Sequence, residues 1–226
     1  MGTLMKVKHV LGEGDRGRLL EGGLKALGIK PSPEMLSSFG KFLDELLIWN
    51  RKTNLVGTSD EKDIIIRHIL DSLTVYSLLK NNGGTIIDVG TGAGFPSIPL
   101  SIVDPSLRIT AVERRSKRVA FLENVSTILQ LKNYRVIGRD VEEVGERFDV
   151  VLFRGFGELK SLYLLSKNIL KETGMIIAFK GKIKEINKEM ERLKSQLKDN
   201  SVKFRVQKVT TPYLEEEERN IVIIET

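Results

Sequence analysis

The stretch at residues 85–99, TIIDVGTGAGFPSIP, constrains the fold of this chain more than any other segment. A β-branched run at 86–89 leads directly into Gly90, Gly92 and Gly94, and an apolar segment follows. This order predicts a strand, a tight glycine turn and a helix. Glycines allow the backbone to approach a ligand closely, and the first turn of a helix offers unpaired N–H groups. We therefore expect a flat, polar, nucleotide-like ligand at this turn.

The spacing of the glycines distinguishes between two classes of ligand, dinucleotides and S-adenosylmethionine. A dinucleotide fingerprint reads G-x-G-x-x-G and needs a glycine at position 95, where this chain has Phe95. The chain instead reads G-x-G-x-G after an acidic residue, Asp88. Glu113 closes the next apolar run, where a carboxylate can accept hydrogen bonds from both hydroxyls of a ribose. An ordinary solvated carboxylate is the alternative for Glu113, and the glycine turn favours the ribose role.

Composition limits the classes of protein and site that are possible. The 226 residues suffice for one α/β domain with a small appendage. The chain has no cysteine, and its two histidines, His9 and His68, are far apart, so we expect neither a disulfide nor a metal. The absence of a long apolar run and of a signal peptide in residues 1–14 predicts a cytoplasmic protein without a membrane partner. The net charge of +6 favours a nucleic-acid partner, although solvated lysines explain part of it.

Residues 1–82 predict a small N-terminal helical subdomain. Leucines with helical spacing stop at Gly28, which predicts the end of a first helix. A second helix starts at Ser32, and a third, capped by Ser59 or Asp60, carries an apolar pattern as far as residue 78. The turn-rich stretch that ends at residue 84 marks the boundary to a cofactor-binding domain in the rest of the chain, residues 83–226.

Three polar residues of the third helix, His68, Asp71 and Ser72, lie three and four positions apart and therefore on one face. A lone histidine is usually a satisfied structural residue. A histidine that shares a helical face with an aspartate and a serine can equally line a pocket, and the residue types alone do not decide between the two.

Beyond residue 83, strand and helix signals alternate, which predicts an α/β domain with a parallel sheet. The last two strands are joined without a helix, so they should pair antiparallel. Seven strands with a terminal hairpin argue against a dehydrogenase. The predicted strands cover 86–89, 108–112, 135–137, 148–153, 175–179, 203–209 and 220–225, and the predicted helices cover 96–103, 116–131, 159–170 and 183–197.

Polar residues follow the third, fourth and fifth strands, at the sheet edge where ligands of such folds bind. Asp140 and Glu142 can accept a hydrogen bond from an adenine amino group while Val141 covers the ring, or the acids can simply open a short helix. Arg154 ends an apolar strand and needs a protein carboxylate or the ligand as its partner. Lys180 can meet a phosphate or remain solvated.

Seven sequence blocks make the interpretation specific: WNRKTNL, RHILDSL, DVGTGAGFPSIPL, KRVAFL, DVEE, FRGF and KG. In this order and spacing they resemble the ribosomal RNA small subunit methyltransferase G family, also called glucose-inhibited division protein B. The resemblance implies a class I S-adenosylmethionine-dependent methyltransferase with a Rossmann-like, seven-stranded sheet. It also implies that the substrate is N7 of a guanosine in small-subunit (16S) ribosomal RNA, either as free RNA or in the ribosomal small subunit.

Combining the residue patterns with the resemblance gives three sets of expected site residues. The resemblance adds Phe95 to the cofactor contacts and implies that the polar face of the third helix lines the active site. The expected cofactor contacts are Asp88, Gly90, Gly92, Gly94, Phe95, Glu113, Asp140, Val141, Glu142 and Arg154; the active-site lining is His68, Asp71, Ser72 and Arg154; the RNA contacts are Arg114, Arg115, Lys117, Arg118, Lys180 and Lys182.

Guanine N7 carries a lone pair, so its methylation needs no general base, and alignment and electrostatics are the expected tasks of the protein. Two other classes stay open at this point. One is a methyltransferase that acts on a small molecule or a protein, and the other is a non-catalytic RNA-binding assembly factor that keeps the fold. A nicotinamide dehydrogenase is disfavoured by Phe95 and by the terminal hairpin.

Overall fold

The computed structural model describes residues 12–80, 84–195 and 203–225. The predictions made for His9 and for most of the boundary stretch at 81–84 therefore concern residues outside the described ranges. Within those ranges the chain forms a single mixed sheet with helices on both faces.

Seven strands form the sheet: β1 (Thr85–Val89), β2 (Arg108–Val112), β3 (Tyr134–Ile137), β4 (Phe148–Arg154), β5 (Leu170–Lys180), β6 (Lys203–Val209) and β7 (Arg219–Glu225). Their order is β3-β2-β1-β4-β5-β7-β6. The pairs among β1 to β5 are parallel, whereas β7 is antiparallel to both β5 and β6. This arrangement confirms the predicted α/β sheet with a terminal antiparallel hairpin, and it brings the carboxyl ends of β1 to β5 to one edge.

The helices surround this sheet: α1 (Glu13–Ala26), α2 (Pro33–Thr53), α3 (Glu61–Ile64), α4 (Asp71–Leu73), α5 (Tyr76–Leu79), α6 (Ser97–Val103), α7 (Ser116–Ile128), α8 (Leu159–Ser166) and α9 (Ile183–Lys194). The predicted end signals are confirmed. Gly28 follows α1 with φ +70°, the left-handed conformation that glycine tolerates best. The hydroxyl of Ser32 accepts a hydrogen bond from Met35 N at 3.2 Å, and Asp60 Oδ1 accepts one from Asp63 N at 3.0 Å.

The expected third helix is not continuous. A π-helical segment, Ile65–Leu70, separates α3 from α4, and Asp71 N donates both to His68 O and to Ile66 O, five residues back. Such wide turns are rare and often occur at functional sites. The apolar spacing of the sequence does not predict this segment. A wider turn shifts the later residues around the helix axis, but it requires no particular residue type at any position.

Three predicted helices are too long: the helix predicted at 116–131 ends at Ile128, the helix predicted at 183–197 ends at Lys194, and the helix at 159–170 differs most in its consequence. The pattern at 159–170 predicts a helix to its end, but α8 stops at Ser166 and β5 already begins at Leu170. Leu170 pairs with Phe148 of β4, whose N–H donates to Ile169 O at 2.8 Å. Pairing with the neighbouring strand therefore overrides the local helical pattern.

Aromatic contacts connect the N-terminal helices to the sheet domain. Phe42 of α2 lies 5.5 Å, centroid to centroid, from Phe95 after the glycine turn and 6.5 Å from Phe121 of α7. One hydrophobic core thus includes α1, α2 and one face of the sheet, while α8 and α9 cover the other face. The division of the chain at residues 82 and 83 stays a prediction.

Two further observations concern the described residues only. No helix among them is both long enough and apolar enough to cross a membrane. Within the same ranges, no group of three or more histidine, cysteine, aspartate or glutamate side chains is arranged to hold a metal ion.

We predict that Phe42→Ala lowers the free energy of unfolding by about 3–5 kcal/mol, because it leaves a cavity where α2 meets Phe95 and Phe121. Ile48→Ala is the matched control on the same helix, since Ile48 is 52% exposed, and it should change stability by less than about 0.5 kcal/mol. Urea unfolding measures both variants. Equal losses would show that the contact of α2 with the sheet domain has no special weight.

Candidate active site

The glycine turn follows β1 as predicted, with φ of +68° at Gly90, +63° at Gly92 and +83° at Gly94. These backbone angles strain any residue with a Cβ. A Cβ added to Gly94 would also lie 2.3 Å from Ile98 Cδ1, so this glycine is required for packing of α6. A Cβ added to Gly90 would lie 3.1 Å from the ring of Phe156, on the open side of the turn. The three glycines therefore have different functions, and Gly90 is the one that lines a cavity.

Asp88 lies beneath the glycine turn, inside the protein. It is completely buried, and its Oδ2 accepts a hydrogen bond from Ser97 N, near the start of α6, at 3.2 Å. Burial raises the pKa of this carboxyl group above its usual value, and Oδ1 has no hydrogen-bond partner among the described residues. Its side chain holds the turn against α6 and does not reach the surface, and the expected contact of Asp88 with a cofactor stays a prediction.

Glu113 fixes the turn from the end of β2. Only 5% of the residue is exposed, and Oε2 accepts hydrogen bonds from Gly92 N at 3.2 Å and from Arg118 Nη1 at 3.4 Å. Oε1 accepts one from Arg115 N at 2.9 Å. The carboxylate is therefore held in a defined position beside the turn, which is what a ribose acceptor requires. Its bond to the turn itself was not visible from the sequence.

A cavity of about 420 Å³, the glycine-turn cleft, lies at the carboxyl ends of β1, β2 and β3. The 3₁₀ turn Val141–Glu143 closes one side of it, with the buried side chain of Val141 as an apolar wall. Gly155 and Phe156 close the side towards β4. The structure thus brings together these expected residues: Gly90, Glu113, Arg114, Arg115, Arg118, Asp140, Val141 and Glu142.

The basic residues near this cleft are partly paired. Arg114 Nη1 lies 3.5 Å from Asp140 Oδ2, and Arg118 forms the bond to Glu113 described above. Arg115 and Lys117 are exposed, and no ion pair within the described ranges involves either of them. The cluster predicted to contact RNA therefore lies at the mouth of the cleft, with two of its cations free.

A second cavity of about 620 Å³, the Arg154 cavity, lies beside the first. Gly155 and Phe156 line both, so they form the partition between the two. Residues from the π-helical segment, β4, β5, α9 and β7 contribute to its lining, which includes Arg67, Asp71, Arg154, Lys180, Glu185, Glu189, Arg219 and Asn220.

Arg154 finds its partner within the protein. Its Nε and Nη2 lie 3.2 and 3.0 Å from Asp71 Oδ2, and Nη2 also donates to Arg67 O at 2.6 Å, in the π-helical segment. The other carboxylate oxygen of Asp71 accepts a hydrogen bond from Thr211 Oγ1 at 2.8 Å and lies 3.5 Å from Arg219 Nε. Arg154 therefore has one of its two expected partners, the protein carboxylate, and its contact with a ligand stays a prediction.

Two residues of the RHILDSL block lie outside both cavities. His68 stacks on Phe95 with ring centroids 5.1 Å apart, and burial, assisted by the charge of Arg154, lowers its pKa to about 4. Ser72 is completely buried and its hydroxyl donates to His68 O. Of the expected helical face, Asp71 alone lines one of these two cavities, and the roles of His68 and Ser72 in the active site stay predictions.

Phe95 also lies beneath the site. It is 5% exposed, and its ring contacts Phe42, His68 and the guanidinium of Arg154, whose Cζ lies 5.8 Å from the ring centroid. Its side chain therefore supports Arg154 and is absent from the lining of both cavities. The expected contact of Phe95 with a cofactor stays a prediction.

The two expected lysines have different positions. Lys180 has only 12% of its side chain exposed, and its Nζ lies 2.8 Å from both Glu189 Oε2 and Gly157 O. Its charge is thus used inside the protein, where it holds the loop after β4. Lys182 is exposed at the start of α9 and lines neither cavity.

Several residues of the site escape sequence reasoning. Thr211 and Arg219 are 140 or more residues away from their partner Asp71 in the chain, and nothing in their surroundings predicts this contact. For Phe156 the sequence does contain a signal, because Gly155 and Gly157 flank it directly. Such a pair of glycines indicates an unusual backbone at the end of a strand.

Solved structures with a similar fold define the class of this protein. An O-methyltransferase from Bacillus cereus in complex with SAH superposes with a TM-score of 0.56 at 14% identity, covering 82% of this chain and 90% of that one. A putative O-methyltransferase from Klebsiella pneumoniae superposes with a TM-score of 0.58 at 11% identity, covering 95% and 98%. These similarities confirm the Rossmann-like fold of class I S-adenosylmethionine-dependent methyltransferases.

The sequence comparisons are more specific. The family model described as rRNA small subunit methyltransferase G matches residues 35–222. Proteins named ribosomal RNA small subunit methyltransferase G are 37% identical over 192 residues in Caldanaerobacter subterraneus, with 80% of each chain covered, and 35% identical over 214 residues in Bacillus subtilis, with 89% of this chain and 87% of that one covered. The chain belongs to the rRNA small subunit methyltransferase G (GidB) family, which confirms the resemblance found in the sequence.

We predict that Glu113→Gln raises the Kd for S-adenosylmethionine about 10-fold or more, because hydrogen bonds to a charged acceptor are lost both in the turn and in the cleft. Glu143→Gln is the control, since Glu143 is an exposed carboxylate on the 3₁₀ turn that lines neither cavity. Isothermal titration calorimetry measures both. Unchanged affinity in the Glu113→Gln variant would remove this residue from the cofactor site.

Proposed function

We propose that this protein transfers a methyl group from S-adenosylmethionine to N7 of a guanosine in small-subunit (16S) ribosomal RNA. The observation that supports this most strongly is the pair of cavities that share the partition Gly155–Phe156, in a chain of the rRNA small subunit methyltransferase G family. A cofactor in one cavity and a nucleotide in the other would meet at this partition. Because the proposed substrate is ribosomal RNA, we infer that the protein acts in the cytoplasm.

The glycine-turn cleft fits the cofactor. Among the described residues, only ring atoms of Phe156 lie near the position that a Cβ on Gly90 would take, and Phe156 belongs to the loop after β4. Glu113 offers a buried carboxylate for ribose hydroxyls, and Val141 offers an apolar surface for an adenine ring, with Asp140 and Glu142 beside it as acceptors. These residues are the ones that we expect to hold S-adenosylmethionine.

The chemistry requires alignment more than acid–base catalysis. When bound, the cofactor supplies an electrophilic methyl group on a positively charged sulfur. Guanine N7 has a lone pair and loses no proton, so the protein does not need a general base. His68, which stacks on Phe95, has a pKa lowered to about 4 and is therefore neutral at pH 7.

Arg154 and Asp71 give the Arg154 cavity a rigid wall. Three hydrogen bonds from the guanidinium and two contacts to the other carboxylate oxygen keep both side chains in place. A wall of this kind holds a nucleotide in a defined orientation, and ideal orientation of the reacting groups can supply about 7–11 kcal/mol of the barrier.

The proposal is tested with ribosomal small subunits and naked small-subunit RNA from cells that lack the modification. The measurement is transfer of labelled methyl from S-adenosylmethionine to each of these substrates. We expect label on N7 of one guanosine, located by chemical cleavage and mass spectrometry. Tight binding of the cofactor without transfer to either substrate would favour another substrate or a non-catalytic assembly factor. Absence of cofactor binding would overturn the assignment of the cleft.

We predict that Arg115→Ala combined with Lys117→Ala raises the Kd for small-subunit RNA about 5- to 50-fold at moderate salt and lowers the dependence of binding on salt concentration, because two exposed, unpaired cations are removed. The control is Lys203→Ala combined with Lys208→Ala, two exposed lysines on β6 at the opposite edge of the sheet from β3. Filter binding at several salt concentrations measures both pairs. An equal effect of the two pairs would indicate only the general influence of net charge.

A further inference from the structure

Phe156 is an aromatic residue in an exposed position between two cavities. Phe156 is 39% exposed, and it is one of few large apolar residues in the described part of the chain that are exposed. It follows β4 directly after Arg154 and Gly155, and it lines both the glycine-turn cleft and the Arg154 cavity. Exposure alone is common for a single apolar residue, but its place in the lining of both cavities makes the Phe156 ring available to a ligand.

The backbone around Phe156 is specialised. Gly155 has φ +66° and Gly157 has φ +21°, conformations that residues with a side chain rarely adopt. Gly157 O accepts a hydrogen bond from Lys180 Nζ at 2.8 Å, and Lys180 is held in turn by Glu189. The loop is therefore anchored at one point and given its direction by two glycines.

The ring of Phe156 lies close to Phe153 and to Gly90, and Phe156 also lines the Arg154 cavity. It lies 5.7 Å from the ring of Phe153 at an angle of 40°, and its Cδ2 and Cε2 lie 3.1 Å from the position that a Cβ on Gly90 would take. These contacts hold the ring against the turn where the cofactor is expected. The remaining ring surface is left for an occupant of the Arg154 cavity.

The Arg154 cavity offers the polar groups that a purine edge requires. Arg154 and Arg219 provide donors, Glu185 provides carboxylate acceptors, and all three line the cavity together with Phe156. Guanine presents both acceptors and N–H donors along its edges, while its two faces are flat and apolar. A cavity with one aromatic wall and a polar rim matches these properties.

We propose that Phe156 is the residue on which the target guanine stacks, so that the base enters the Arg154 cavity with its N7 edge directed towards the glycine-turn cleft. This inference rests on the proposed function and names the residue that positions the substrate. In the reaction the N7 lone pair forms the bond to the methyl carbon while the carbon–sulfur bond breaks and its electron pair stays on sulfur. The positive charge passes to the purine, and no proton moves.

An aromatic wall assists this step in two ways. Stacking holds the base in one plane, and the negative face of the ring attracts the purine as it becomes cationic. The first effect lowers KM for RNA, and the second raises kcat. Loss of the ring should therefore affect both constants, by about 10- to 100-fold in kcat/KM.

Phe156→Leu, Phe156→Tyr and the control Phe204→Leu test the proposal in the full-length protein. Leucine keeps an apolar side chain but removes the ring, tyrosine keeps the ring, and Phe204 is a partly buried aromatic residue of β6 that lines neither cavity. For each variant, calorimetry gives the Kd for S-adenosylmethionine, thermal unfolding verifies the fold, and methyl transfer to unmodified small subunits or RNA gives kcat and KM.

We expect Phe156→Leu to lower kcat/KM about 10-fold or more with a Kd for the cofactor within about threefold of the wild type, and Phe156→Tyr and Phe204→Leu to remain close to the wild type. Equal turnover in Phe156→Leu, or no rescue by tyrosine, overturns the proposal while the proposed function stands. A loss of cofactor affinity equal to the loss of activity also overturns the proposal, because the ring would then contribute to binding of the cofactor and not of the guanine. If the wild type itself methylates no ribosomal RNA, the proposed function fails, and this proposal fails with it.

Discussion

The ion pair between Asp71 and Arg154 connects three parts of the chain that are distant in sequence. Asp71 follows the π-helical segment, Arg154 ends the central strand β4, and Thr211, which donates to Asp71, belongs to the connection between β6 and β7. Both charged side chains are largely buried, so either one would be costly without the other. The N-terminal helices, the sheet and the terminal hairpin therefore meet in one geometry, and the Arg154 cavity forms at their junction.

Charged residues of this protein divide into those used inside the site and those left for a partner. Lys180 is held by Glu189, and Arg118 contributes to the fixed position of Glu113. Arg115 and Lys117 remain exposed at the mouth of the cleft. The excess positive charge therefore acts at two levels, since paired cations shape the cavities and the free ones are available to a polyanion.

The strands and most helix ends could be predicted because their signals are local. Gly28, Ser32 and Asp60 act through their own backbone neighbours, and the β-branched runs need only alternate with helices to specify a parallel sheet. The errors lie where a distant segment decides. The start of β5 at Leu170 depends on pairing with β4, and the π-helical segment depends on packing that the apolar pattern does not encode.

The sequence by itself determined the seven-stranded α/β sheet, the glycine turn and the presence of Glu113 and Val141 beside it, because carboxyl ends of adjacent parallel strands must meet at one edge. Only the tertiary structure decided the direction of each side chain and the partner of each charge. Asp88 and Ser72 have residue types that suit a binding site, yet both are buried. Phe156 has a residue type that suits a core, yet it is exposed between two cavities, because the glycines around it direct the loop outward.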